Sequence, residues 1–237
     1  MTIWKALLLI YSSIAVRYRD QGKRSKRFAY DLSEAEVQDG VESFEEFPAL
    51  VAELTSGRAG IDYQIKRVER CLTSLTPMGQ KMYWPSPTDT REEIDRFVLP
   101  GSYDSIFVFW PEHNLEDNTF VPSGGWGLAI GASAWSNDAI YATVANSESW
   151  RWRVPVRGEV WLHEWLHGVC SFFAGRGCLL PDGDADGGAR HGYIQSAVFG
   201  WTDYYRDLMT GNVLEAGQRK GIPLEAWQYK PEHGTTA

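Results

Sequence analysis

The chain has 237 residues, 43% of them hydrophobic, enough for one large domain or two small lobes sharing a core. Its 31 acidic and 23 basic side chains give a formal charge of -8, which argues against nucleic acid or an anionic membrane as the main partner. Cys71, Cys170 and Cys178 are too few and too irregularly spaced for a disulfide framework or a cysteine zinc finger, leaving a Cys170 to Cys178 bridge as the one pairing open to the chain.

No run approaches the roughly 18 apolar residues of a membrane span. The run ALLLI at 6–10 lacks the length and cleavage site of a signal peptide. The chain therefore reads as soluble, cytoplasmic by default, or secreted where a longer natural chain carries a leader.

In chain order, the continuous apolar run and alternation at 4–18 predict a buried first strand. The basic cluster behind it, Arg17, Arg19, Lys23, Arg24, Lys26 and Arg27, reads as a solvated loop after a strand, with a binding patch as the alternative. A helix is expected from Ser33 to Leu54, with Ser33 and Glu36 spaced as a capping box, Gly57 as a stop, and Pro48 kinking or dividing it. Alternation over 61–72 predicts the second strand, and a short helix is expected from Thr90 to Val98. The segment 103–110 is the clearest inner strand, 124–131 a glycine-rich edge strand, and 139–146 a further strand. After Gly175 comes a long glycine- and aspartate-rich loop, and then a final helix over Ser196 to Met209. Trp201, Tyr204 and Tyr205 on that helix would line a cleft or a core.

Between these last strands and the loop stands VWLHEWLHGV, residues 160–169. At about 100° per residue, His163, Glu164 and His167 share one arc of a helix. The rest of the circumference is mostly Trp161, Leu162, Trp165, Leu166, Val169, Phe172 and Phe173. Such a helix is buried on nearly all sides, so the arc faces the core or an internal cleft. An ionised Glu164 there is costly unless a partner or a metal with its water compensates it. Histidines at i and i+4 can offer imidazole nitrogens to one tetrahedral ion, with the glutamate placed as a general base and not as a ligand.

Through the motif HEWLH at 163–167 and the order of elements from about residue 4 to 174, the chain resembles the zincin metallopeptidases. The resemblance implies an α/β (α+β) fold, with a twisted mixed sheet, a backing helix and the active-site helix. It also implies an antiparallel edge strand above the cleft, here 124–131, and a strand nearest the helix, here 139–146. The metzincin pattern needs glycine where Cys170 stands and histidine where Phe173 stands, and is excluded. A third ligand of the glutamate type is missing too, because no glutamate occurs between Glu164 and Glu215.

The remaining third-ligand candidates are Asp182, Asp184, Asp186 and His191, with Asp203 more distant. His191 is favoured because glycines 175, 177, 183, 187 and 188 leave the chain able to fold back, with Asp186 or Asp184 as the alternative. The DGDADGG stretch begins like a calcium loop of the EF-hand type, but its twelfth position is Tyr193 and not glutamate. Asp182, Asp184 and Asp186 thus remain candidates for a looser Ca²⁺ site, for orienting a zinc ligand, or for ordinary turns. Tyr193 is a candidate oxyanion stabiliser, as in several zincins, or a packing tyrosine.

The expectation is a zinc peptidase acting on protein or peptide, with an upper lobe over 1–174 and a smaller, mostly helical C-terminal lobe over 175–237 that supplies the third ligand. The alternative is a non-catalytic, metal-stabilised binding module.

Overall fold

The computed structural model describes residues 1–19, 24–79, 82–123, 127–146 and 155–231. The first strand, β1, is Thr2–Tyr11. The single strand expected over 4–18 breaks at Ser12, and Ser13–Arg19 (β2) pairs antiparallel with Ser25–Asp31 (β3) as a separate ribbon. Burial explains the break. β1 is enclosed on both faces, as an inner strand is, whereas β2 alternates buried Ile14 and Val16 with exposed Ala15 and Arg17. Arg17, Arg19, Lys26 and Arg27 of the basic cluster are therefore on strands and not in a loop, whereas Lys23 lies outside the described residues.

Helix α1, Glu34–Leu54, opens with the expected reciprocal capping box between Ser33 and Glu36. Pro48 does not divide it. Proline removes one N–H from the helix ladder, but Phe44, Phe47, Val51 and Leu54, all buried on one face, hold both halves to the sheet. Next come β4 (Ala59–Val68), the short pair β5 (Thr76–Met78) and β6 (Met82–Trp84), α2 (Arg91–Phe97) and β7 (Ser105–Trp110). The pair β8 (His113–Asn114) and β9 (Thr119–Phe120) precedes β10 (Gly127–Ile130) and β11 (Ile140–Ala145). The first three residues of the expected edge strand, 124–126, lie outside the described residues.

The five-stranded sheet has the order β10-β11-β7-β1-β4. Its inner pairings are parallel, and β10 runs antiparallel to β11 at one edge. With its helices this makes an α+β fold. The period of two divides each inner strand between two cores. Ala6, Leu8 and Ile10 of β1, Phe107 and Phe109 of β7, and Ala142 and Val144 of β11 meet α1 and the motif helix α3, Glu159–Gly175. Leu7, Leu9, Ile106, Val108 and Tyr141 meet α2, Trp84 and the ribbon on the other side.

The final helix, α4, covers only Thr202–Met209. Ahead of it the backbone of Ser196 and Gly200 closes a turn, with Gly200 at φ +56°, so the expected helical start at Ser196 is not formed. A hairpin of β12 (Val213–Glu215) and β13 (Gln218–Lys220) follows. Tyr204, Tyr205, Leu208 and Trp227 share the core of α3. Trp227 stacks on Trp165 at 6.1 Å, and Trp165 meets Trp4 of β1 edge-on at 5.2 Å. Such aromatic pairs contribute about 0.5–1.5 kcal/mol each beyond their buried area, which ties the C-terminal segment to both helix and sheet. All three cysteines are free thiols. No described helix is long and apolar enough to cross a membrane.

Candidate metal centre

Helix α3 sits close against the sheet because residue 168 is glycine: a Cβ there would meet Ile140 of β11 at 2.4 Å. Trp161, Trp165, Leu166 and Val169 are buried against the sheet and α1, which turns the arc of His163, Glu164 and His167 toward the end of the sheet where β10 lies. A cleft of about 440 Å³ opens there. One wall is β10 with Gly131, another is the motif arc with Ser171, and the floor is Asp184 and Asp186.

Asp186 completes a group of three. Its Oδ1 is 3.5 Å from His163 Nε2 and its Oδ2 is 3.8 Å from His167 Nε2. One ligand atom from each of the three residues lies within 4.8 Å of the other two. Donors held about 2.0–2.1 Å from a tetrahedral zinc ion lie roughly 3.3 Å apart, so two imidazoles and a carboxylate at these separations fit the ion with small movements.

The opposite ring nitrogens are already engaged. His163 Nδ1 is 2.8 Å from the Tyr205 hydroxyl, and His167 Nδ1 is 2.7 Å from Asp184 Oδ1. With Nε2 given to a metal, each Nδ1 carries the proton and donates outward. This is the tautomer-fixing arrangement usual behind metal-bound histidines.

Burial first, and His167 beside it second, hold His163 down at about 3, so its imidazole is neutral near pH 7. Burial also lowers His167, but its hydrogen bond to Asp184 and that carboxylate's charge outweigh burial and raise it. A metal at Nε2 would displace the second ring proton, while the Nδ1 proton stays hydrogen-bonded to Asp184. Burial, followed by the charges of Glu159, Glu164 and Asp186, keeps the Tyr205 hydroxyl protonated far above its ordinary range. Glu164 is 2% exposed, and its Oε1 lies 4.0 Å from His163 Nε2. Gly127 of β10 passes directly over it: a Cβ at 127 would come within 2.6 Å of the Glu164 carboxyl carbon.

His163, Glu164 and His167 are thus together, but His191, the favoured third ligand, is not with them. Its Nε2 is 2.8 Å from the Asp182 carbonyl oxygen and 3.6 Å from Glu215, and its ring stacks on Tyr204. The physical reason lies in the loop. A 3-10 turn at Asp184–Gly187 brings Asp186 under the helix, and a second turn at Ala189–His191 is directed to the β12 side. Gly187 permits the fold-back, since a Cβ there would strike the Tyr204 hydroxyl and crowd Asp182 and His191.

Tyr193 is likewise away from the cleft, donating its hydroxyl to Asp207. Of the three aspartates offered as a looser calcium site, Asp182 pairs with Arg190, Asp184 with His167, and Asp186 faces the histidine pair. Among the described residues these three carboxylates do not form one ligand group.

The sequence reading placed Tyr205 only in a wall or core, and it gave no role to Glu159. Nothing local marks a tyrosine 42 positions after His163 as its partner. Glu159 stands in the first turn of α3, 1% exposed, where it accepts the Trp201 backbone N–H. Comparison of the chain with family models, with curated proteins and with solved structures returned no match.

Proposed function

We propose that the chain is a zinc-dependent peptidase of zincin type, with His163, His167 and Asp186 as ligands and Glu164 as general base. The observation that carries this reading is the convergence of two outward-supported imidazoles and one carboxylate beside a buried glutamate, in a cleft bounded by an edge strand. Zinc, when bound, would polarise the scissile carbonyl and bring the pKa of the attacking water to about 7.

The chain's own residues do the rest. Glu164 takes the water's proton and returns it to the leaving amine. Asp184 and Tyr205 hold the two rings in the metal-binding tautomer. As an edge strand, β10 can add an extended peptide by backbone hydrogen bonds, which presents the peptide along the cleft. In this reading residues 1–174 form the upper lobe and 175–237 the lower, which contributes Asp186.

The test is metal analysis together with turnover of an unstructured protein. The expected result is about one zinc per chain, removed by chelation. Glu164→Gln should keep the zinc and lose most of the turnover. A folded chain that hydrolyses peptide bonds without any transition metal refutes the proposal, and zinc bound without turnover in the wild type favours a metal-stabilised binding module.

A further inference from the structure

The outer face of the β2–β3 ribbon concentrates positive charge that the metal site does not use. The register places Arg17 directly opposite Arg27, with Arg19 opposite Ser25 nearer the turn and Ala15 opposite Ala29 behind. Alternation brings these six residues to one exposed face, while Val16 and Phe28 are buried on the other. Like charges directly opposite each other destabilise an antiparallel pair.

Several other arginines of this acidic chain pair with carboxylates. Arg67 pairs with Glu34, Arg157 with Asp39 and Glu42, and Arg206 with Asp203 and Glu53. Among the described residues, Arg17, Arg19 and Arg27 have no carboxylate within ion-pair distance.

The platform is also held in place. Tyr18 meets Tyr83 edge-on at 5.6 Å and donates to the Phe120 carbonyl at 3.3 Å. The Tyr83 hydroxyl bonds the backbone N–H and C=O of Arg19 at 3.0 and 3.1 Å. A strand fastened by its inner face and backbone presents its outer side chains with little entropy left to lose on binding.

We propose that this face docks an extended acidic segment of a partner protein, with carboxylates at alternate positions engaging Arg17 and Arg19 and with Arg27, across the ribbon from Arg17, flanking the first of them. Side chains two residues apart on a strand repeat at about 6.7 Å. An extended peptide with acids at every second position has the same repeat, and guanidinium groups match carboxylates in a fork geometry. A nucleic acid fits less well, because three arginines neutralise at most about three phosphates of a long, uniformly charged backbone. An anionic bilayer fits less well because the outer face offers only Ala15 and Ala29 as apolar surface, too little to insert.

The experiment is fluorescence anisotropy of the full chain with a fluorescein-labelled peptide of alternating glutamate and threonine. The competitors are a peptide with the same acids in one block, single-stranded DNA, and phosphatidylserine vesicles. The alternating peptide should bind best, and its affinity should fall steeply with salt. Arg17→Glu with Arg27→Glu should weaken it at least about tenfold and leave zinc uptake unchanged. Arg17→Gln, which relieves the like-charge pair, should keep or raise the melting temperature while weakening the peptide about threefold or more. Wild type that binds no alternating peptide, variants that bind it as wild type does, or a preference for DNA or vesicles would each overturn the proposal. None of these outcomes bears on the metal site.

Discussion

Glu159 gives the structure a pH dependence that can be worked out in advance. It is 1% exposed; one carboxylate oxygen accepts the Trp201 N–H, and the other has no hydrogen-bond partner among the described residues. Burial raises its pKa from 4.5 to about 7, against the lowering effect of the Trp201 bond. A carboxyl whose folded pKa is raised leaves the folded state holding the proton after the unfolded chain has lost it. Stability from this group is therefore fully present below about pH 4.5 and is lost as pH rises to about 7, at about 1.4 kcal/mol per pH unit. Over that window the loss is about 3 kcal/mol.

Glu159→Gln keeps an acceptor for Trp201 and removes the titration. Urea unfolding of chelator-treated wild type and variant at several pH values would measure the difference in stability, with the titrations common to both chains cancelling. The difference should move in favour of the variant by about 3 kcal/mol between pH 4.5 and pH 7, then level off. A difference that stays flat across that range would refute the reasoning and mean that Glu159 ionises as an ordinary carboxylate.

Asp186→Ala should weaken zinc binding by about two orders of magnitude or more with little effect on folding, because its side chain is 73% exposed. His191→Ala should leave zinc titrations as in wild type and lose about 1 kcal/mol of stability with its bond to the Asp182 carbonyl; the opposite pattern would return the third ligand to His191. Asp184→Asn should cost about 10- to 100-fold in zinc affinity, because it removes the charge behind His167 but not a ligand. Gly127→Ala should lower turnover about tenfold or more, since its Cβ would strike the Thr143 carbonyl oxygen and the Glu164 carboxyl. Unchanged kinetics in that variant would place the working base away from β10.

The elements that position the site were legible in the sequence because each carries a local signature. β7 and β11 are short apolar runs enriched in β-branched and aromatic residues, α1 opens on a capping box, and α3 is apolar around most of its circumference. The boundary between β1 and β2 was hidden because both halves are strand. What separates them is which other elements cover their faces, and no window of sequence holds that information. The start of α4 was placed too early for a related reason. The apolar residues of 196–201 extend the helical pattern, but Gly200 takes a positive φ and a Cβ there would collide with Glu159.

The third ligand separates what residue chemistry can predict from what backbone geometry decides. Imidazole is the better zinc donor by type, and the glycine-rich loop was long enough to return His191 to the helix, so donor strength pointed to histidine. In the structure the order of turns places Asp186, and not His191, beside the two histidines. Asp184 enters its 3-10 turn at φ +36°, an uncommon conformation for a residue with a side chain. There its carboxylate reaches His167 and its carbonyl accepts the Tyr204 hydroxyl. Two residues later, Asp186 faces the Nε2 atoms of both histidines, while Gly188, which a Cβ would drive into Trp201, carries the chain away beneath α4. One turn thus sets both the carboxylate behind His167 and the carboxylate in front of it, and His191, in the next turn, is left to brace the loop against Tyr204.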